Sequence, residues 1–391
     1  MSGTSADGID AAVVEISGHG YGTRARLLAF RTTAYDDALR RRLLAAERAT
    51  AAELCVLDVE LGEAFAAATS HVIAAAGLHP GEVHLVGSHG QTAVHLPPSL
   101  LSSISALRPS IAAIPNVARG GTLQIGQGAV IAERTGLPVI CNFRVRDIAA
   151  GGEGAPLVPL ADALLLSTPD RVRALQNIGG IANITVLAPA TADHANAEPR
   201  ILAFDNGPGN MALDLVVQAA SRGSARYDEA GEWAARGHVD APLLAELLRH
   251  PFLSVPPPRS SGRELFGHAL VDPLLKRFRG REDDLLATLT RFTAEAIRSS
   301  VASHVEPRIK ATIDELYVSG GGVYNDTLMH HLRELFAPTK VESTAALGID
   351  PDAKEAIAFA VLANETLHGQ PGNVPSATGA RGPRVLGTIV L

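Results

Sequence analysis

Three glycine-rich stretches, each at the expected end of a strand, constrain this chain more than anything else in it. They are Gly3-Thr4-Ser5-Ala6-Asp7-Gly8-Ile9-Asp10, the run 177–185 with Gly179, Gly180 and Asn183, and Ser319-Gly320-Gly321-Gly322. Glycine lets a backbone turn sharply and aim bare N–H groups at an anion. One such loop is weak evidence. Two that resemble each other, with a third, point to a nucleotide held between two related half-domains, and so to an ATP-dependent kinase.

Composition sets the outer bounds. A chain of 391 residues exceeds the size at which single cores stop growing, so two domains are expected. Hydrophobic residues make up 46% and charged ones 19%, an ordinary globular balance. Aromatics at 4% imply an aliphatic core with little stacking surface for single-stranded nucleic acid. A net charge of −7 argues against a polyanion bound across a broad face, so small molecules rather than nucleic acid are the expected partners. Cys55 and Cys141 lie in apolar stretches without metal-ligand spacing and are read as buried free thiols, not as a disulfide framework. No apolar run reaches about 18 residues and no basic, apolar leader precedes Gly3. A soluble cytoplasmic protein with no membrane partner is expected.

Strand-like and helix-like segments alternate, which indicates α/β architecture. Residues 11–16 and 26–30 read as strands of a meander, and 36–77 as helical with Leu54, Val56, Leu57, Val59, Leu61 and Phe65 on its apolar side. Residues 83–86 form a strand delivering Gly87-Ser88-His89-Gly90-Gln91-Thr92, and 138–140 a buried strand. Strands near 172–176, 183–188 and 200–204 suggest a second sheet, with helices at 208–221, 241–249, 283–304 and 353–367. The glycine-rich run 149–156 marks a hinge, giving an N-terminal lobe of 1–145 plus 352–391 and a C-terminal lobe of 146–351. Residues 189–199 read as a polar loop and 369–384 as a surface segment. The first glycine loop follows Met1 with no strand in front of it; either the start lies upstream or the first strand is absent, and the former is expected because a missing strand would leave an unpaired gap in the sheet.

Several side chains suit chemistry. Loop one offers the Thr4 and Ser5 hydroxyls, N–H groups from Gly3 to Asp10, and the carboxylates Asp7 and Asp10. A carboxylate beside a phosphate cradle makes electrostatic sense with a cation between them, usually Mg²⁺ through water; the plain alternative is an Asp7-Gly8 turn closing a hairpin. Asp205, in Phe204-Asp205-Asn206-Gly207-Pro208-Gly209-Asn210, stands at a strand end before a helix and suits a general base, whereas helix capping competes for Asn206. His89 and Gln91 match the hydroxyls of a polar substrate. Arg134, Arg144 and Arg146 are either grips for a carboxylate or phosphate, or surface ion pairs. Glu355 either completes the cation site or is a first-turn acid favoured by the helix dipole.

With these residues in hand, the chain resembles the anhydro-N-acetylmuramic acid kinase family nearly end to end. The matching stretches are 1–10, 87–92, 131–136, 152–159, 176–185, 204–210, 256–264, 320–325 and 354–356. The resemblance implies the two-lobed α/β fold of actin, sugar kinases and heat-shock chaperone ATPases, with the active site in the interdomain cleft. It implies ATP and Mg²⁺ as cofactors, an anhydro sugar as substrate, and a homodimer as a common assembly. Asp205 would be the catalytic base and Asp7 with Glu355 would hold the metal. Residues Gly3 to Asp10, Gly179, Gly180, Asn183, Gly320, Gly321, Gly322 and Asn325 would line the nucleotide, and His89, Gln91 and Arg134 the sugar. Three positions depart from the family pattern: Asn142 and Asn206 replace Asp and Thr, and Asp162 stands where many members carry His. The Asp162 stretch looks more like levoglucosan kinases. Levoglucosan phosphorylation and a non-catalytic nucleotide- or sugar-sensing role are therefore the competing readings.

Overall fold

Alternation of β-branched and small residues builds the first hairpin: β1 (Gly8–Ser17) pairs antiparallel with β2 (Arg24–Ala34), from Gly8↔Ala34 to Ser17↔Arg24. The computed structural model describes residues 1–3, 6–98, 120–190, 199–257, 259 and 261–391. β1 starts earlier than expected and takes in Gly8, Ile9 and Asp10, because the Ile9 side chain is drawn into the core. Helix α1 (Asp37–Leu44) and helix α2 (Ala51–Ala75) follow, the second opened by a Thr50–Glu53 capping box. On α2 the buried stripe is Leu57, Leu61, Phe65 and Val72, while Val56 and Val59 face out. Cys55 on the same helix is exposed and Cys141 half-buried, so neither thiol has the buried place expected of it.

Two compact units result: Met1–Leu166 with Ala353–Leu391, and Ser167–Asp352. In the first, β3 (Val86–Gly87) runs parallel to β6 (Val139–Cys141), which pairs antiparallel with β12 (Thr388–Val390). A second hairpin joins β4 (Gln91–Leu96) to β5 (Gly121–Ile125), and α3 (Gly128–Thr135) packs on α2. The first boundary lies at Leu166, beyond the expected 145, for a packing reason. Helix α4 (Val158–Leu166) buries Ala161 and Leu164 against Ala358 and Val361 of helix α8 (Lys354–Leu367), which ties 146–166 to the first unit. Helices α5 to α7 belong to the second unit.

The second unit carries a five-stranded sheet in the order β11-β10-β7-β8-β9. Its strands are β7 (Arg173–Ile178), β8 (Ile181–Ala188), β9 (Arg200–Pro208), β10 (Glu315–Ser319) and β11 (Lys340–Ser343). β7, β8 and β9 form an antiparallel meander, and β10 lies parallel to both β7 and β11. Two helices supply much of its cover, α6 (Glu282–Ser300) and α7 (Asp326–Phe336), while α5 (Met211–Ala220) packs on α6. α6 sends Ala294 and Ile297 into the sheet core and Leu285 and Leu289 into a second cluster with Val216. The expected loop at 189–199 lies largely outside the described residues.

The segment 369–384, expected at the surface, is fastened to the interior of the first unit. Asp147 is fully buried; its Oδ1 accepts from Asn373 Nδ2 at 2.6 Å and Thr378 Oγ1 at 2.8 Å, and its Oδ2 from the Gly154 N–H at 2.8 Å. The carboxylate thereby holds the glycine-rich turn and the C-terminal segment together. Asp147→Ala strands three buried donors and is expected to lower unfolding free energy by about 2–5 kcal/mol, read by urea denaturation.

Candidate active site

In the second unit the glycine loops converge by backbone contact. Gly179 and Gly180 form the tip between β7 and β8, and their carbonyls accept from the chain entering α5: Asn210 N to Gly179 O at 2.7 Å, Gly209 N to Gly180 O at 3.1 Å, and Met211 N to Gly180 O at 3.2 Å. Gly320, with φ +76, leads from β10 into a 3-10 turn, Gly321–Tyr324. A side chain at Gly320 would strike Asn177 Oδ1 and the Ile178 carbonyl, and one at Gly322 would strike the Ile178 side chain. Asn210 Nδ2 donates to the same Ile178 carbonyl at 3.2 Å. Hairpin tip, helix start and triple glycine thus form one backbone-walled cradle, of the kind that suits phosphate oxygens.

Asp205 sits on β9 opposite Asn183, three residues before the strand ends at Pro208. Its Oδ2 accepts the Ser261 N–H at 2.7 Å. Arg259 holds that loop in place: Nε donates to the Asp205 carbonyl at 2.9 Å, and Nη1 to the carbonyls of Phe252, Leu253 and Val255 at 3.1, 3.1 and 2.6 Å. Its guanidinium lies over the rings of Phe204 and Phe252, while Nη2 finds no partner among the described residues. Burial pushes the Asp205 carboxyl up to about 6, opposed by the Ser261 N–H and Arg259 and assisted by Glu264. A carboxylate with that affinity for protons is suited to accept one near neutral pH. Asn206 does not cap a helix. Because β9 continues past it, the side chain points into the sheet and exchanges amide hydrogen bonds with Gln176 at 2.7 and 3.2 Å.

The first unit gathers charge at the start of α8. Burial raises the Glu355 carboxyl, against the pull of Lys354 and Arg144, and Asp10 adds to the rise. Lys354 Nζ is itself paired at 3.1 Å with Asp162, both side chains less than 10% exposed, which accounts for the acid at that position. Arg144 Nε donates to His89 Nε2 at 2.9 Å and Nη1 to the Gly154 carbonyl at 2.8 Å. Burial lowers the His89 pKa well below its usual value, with Arg144 adding to the effect, so the ring is neutral; Nδ1–H then donates to the Gly90 carbonyl at 2.9 Å. Asn142, before this arginine, has φ +56, a left-handed conformation that asparagine adopts readily.

Several expected site residues are placed differently. Asp7 is exposed and paired with Arg40 at 3.0 Å, and it is Asp10 whose charge reaches Glu355. Among the described residues no three His, Cys, Asp or Glu converge as a metal cage. Arg134 faces solvent and turns Nε and Nη2 onto Glu63 at 2.7–3.0 Å. His89 Nε2 accepts from Arg144 Nε at 2.9 Å and Gln91 Oε1 from Ser2 Oγ at 2.6 Å, both side chains being buried. Asn325 caps α7, its Oδ1 accepting from Leu328 N at 2.9 Å. Gly3 and Ala6 flank Thr4 and Ser5, which lie outside the described residues, as do Pro258 and Ser260. Ala6 N donates to the Gly3 carbonyl at 3.1 Å. The holding role of Arg259 and the donor role of the Ser261 N–H were not read from the sequence, although both fall in the stretch 256–264 that carries the family resemblance.

Arg259→Lys keeps the charge and loses the fork. The variant is expected to lower kcat by about tenfold, with the acid limb of the pH profile moving above about 6 as the Ser261 N–H leaves the carboxylate. A fall in kcat with an unmoved limb would mean that the arginine only supports the fold.

The family profile described as "Anhydro-N-acetylmuramic acid kinase" matches residues 1–391. Anhydro-N-acetylmuramic acid kinase from Caldanaerobacter subterraneus subsp. tengcongensis is 42% identical over all of this chain and 96% of its own length. The protein of the same name from Acaryochloris marina is 43% identical over all of this chain and 98% of its length. Among solved structures, a ROK family glucokinase from Streptomyces griseus in complex with glucose and AMPPNP aligns over 91% of this chain and 100% of its own at 12% identity, with a TM-score of 0.34. Full-length identity at this level fixes the relationship: the chain belongs to the anhydro-N-acetylmuramic acid kinase family.

Proposed function

We infer that this chain is an ATP-dependent kinase that opens 1,6-anhydro-N-acetylmuramic acid with water and phosphorylates O6, giving N-acetylmuramic acid 6-phosphate and ADP in peptidoglycan recycling. The observation that carries the mechanism is Asp205: a half-buried carboxylate, fixed by the Ser261 N–H, with its pKa raised to about 6. Asp205 takes a proton from water as its oxygen bonds to the anomeric carbon. The bond from that carbon to O6 breaks, and O6 receives the γ-phosphoryl group while the bond to the ADP oxygen breaks. The cradle of Gly179, Gly180 and 320–322 offers backbone dipoles to the phosphates without desolvating a charged side chain.

Mg²⁺ fits the first unit's acids. Two neighbouring carboxylates, one of them pushed up by burial and by the other, are the donor set of a cation bound by few protein ligands and several waters. Glu355 and Asp10 would hold it, in place of the Asp7 and Glu355 pair, and the ion would offset charge on the phosphate oxygens. Arg144, set by neutral His89, is the nearby cation available to an anionic group.

Turnover is expected to rise with pH through about 6 as Asp205 loses its proton. The same shift has a stability sign. Between the ordinary 3.8 and about 6 the folded chain binds more protons than the unfolded one, so Asp205's contribution falls as pH rises through that window. Asp205→Asn should lose about 10²-fold or more in turnover while ATP binding persists. The test is ATP consumption with the anhydromuramic sugar and with levoglucosan offered separately in Mg²⁺. Wild-type turnover by the variant would remove Asp205 as the base. Preference for levoglucosan would reassign the substrate, and ATP binding with turnover of neither sugar would favour a sensing role.

A further inference from the structure

The Ser261 N–H fixes the carboxylate of Asp205, which leaves the hydroxyl of the same residue without a structural task. Asp205 N donates to the Arg259 carbonyl at 3.3 Å and Arg259 Nε to the Asp205 carbonyl at 2.9 Å, so main chain and guanidinium already pin the loop to β9. Ser261 Oγ adds nothing to that attachment: it is enclosed and has no hydrogen-bond partner. An enclosed hydroxyl left unpaired is costly, which marks it as a group with a ligand to serve. Asp205 Oδ1, the carboxylate oxygen not taken by the Ser261 N–H, has no partner among the described residues either.

These two oxygens lie close together and away from the core. Phe204 packs in the sheet core with Ile184 and Val318, so alternation puts the Asp205 carboxylate on the opposite face of β9. Three covalent bonds separate Ser261 Oγ from the nitrogen that holds Oδ2. Burial raises the Asp205 carboxyl, and the hydroxyl is near enough to oppose that rise, behind the Ser261 N–H and Arg259. Two O–H···O bonds of about 2.8 Å each span such a gap. One water can therefore bond to the carboxylate and to the hydroxyl together, as enclosed waters do between unpaired polar groups.

We propose that Ser261 Oγ holds the water that attacks the anomeric carbon, a role that rests on the reading of Asp205 as the base. The water donates one hydrogen to Asp205 and the other to Ser261 Oγ, which leaves a lone pair aimed at the carbon. Held by the carboxylate alone, it would turn about that single bond, and most orientations would aim no lone pair at the sugar. The water oxygen bonds to the anomeric carbon, the bond from that carbon to O6 breaks, one water proton passes to Asp205, and O6 takes the γ-phosphoryl group. Ser261 keeps its own proton throughout. One residue thus divides two tasks: its N–H sets the base and its hydroxyl sets the nucleophile.

The test uses Ser261→Ala, which keeps the N–H and loses the hydroxyl, and Ser261→Thr, which keeps both. Turnover of the anhydromuramic sugar is measured at about pH 8, where Asp205 is charged with or without the hydroxyl's help. Ser261→Ala is expected to lower kcat by about tenfold with KM little changed, and Ser261→Thr to restore it. Methanol added to the assay supplies a second nucleophile. It carries a methyl group where water carries the hydrogen given to Ser261, so the hydroxyl discriminates against it and the alanine does not. Its oxygen bonds to the anomeric carbon, its proton goes to Asp205, and the product is the methyl glycoside 6-phosphate. The ratio of that product to the free sugar phosphate is expected to rise about tenfold in Ser261→Ala. An unchanged kcat would overturn the proposal. A lower kcat with an unchanged product ratio would also overturn it, and leave Ser261 as a support of the loop. Wild-type turnover by Asp205→Asn, or a wild type that turns over no anhydro sugar, would remove the underlying reading as well. An impaired Asp205→Asn beside an unimpaired Ser261→Ala would remove the water site alone.

Discussion

The candidate site of the second unit depends on a contact between two pieces of backbone: the Gly179–Gly180 tip against the chain entering α5. Helix starts leave N–H groups without partners. Here the hairpin carbonyls take those of Gly209, Asn210 and Met211. The approach is close enough that a Cβ on Gly209 would collide with the Gly179 carbonyl. With those donors spent, the helix start is a fixed wall, and the remaining glycine N–H groups of the tip and of 320–322 are the ones left for an anion. Position of the strand meander and position of the cradle are therefore one property.

The carboxylate proposed as the base is held by a different device. Asp205 is held from outside the sheet by a loop, and the loop is held by one arginine that reaches four carbonyls. The aromatic rings on which Arg259 lies shelter it from water, and burial lowers its own pKa to about 10, still far above the working range. The clamp stays charged while the carboxylate it positions titrates. Glu315 in the same unit shows the contrast: paired with Arg171 and Arg173, its carboxyl is lowered and serves only to hold β7 to β10.

What the sequence disclosed was mostly periodic or conformational. The α/β class, the strands at 173–178 and 315–319 and the helix at 354–367 were legible from apolar spacing, and the glycine loops from their composition. Partners were not. Nothing in the order of residues assigns Arg134 to Glu63, Asp7 to Arg40, Asn206 to Gln176 or Asp162 to Lys354, since each pairing joins elements distant in sequence. Asp147 was hidden for the same reason, two of its three donors coming from residues more than 200 positions away. The strand at 83–86 was overread from its apolar content; among the described residues only Val86 and Gly87 pair, with β6.

His89 has a consequence of its own. Its ring has one face on Phe359 and both nitrogens in use, and its proton affinity lies far below that of free imidazole. A histidine in this state is no sensor of acidity. It works as a dowel, an uncharged peg that keeps the Arg144 fork at one angle through any mild acidification that reaches Asp205. Acid would thus act on the two raised carboxylates, Asp205 and Glu355, while the Arg144 fork kept its orientation.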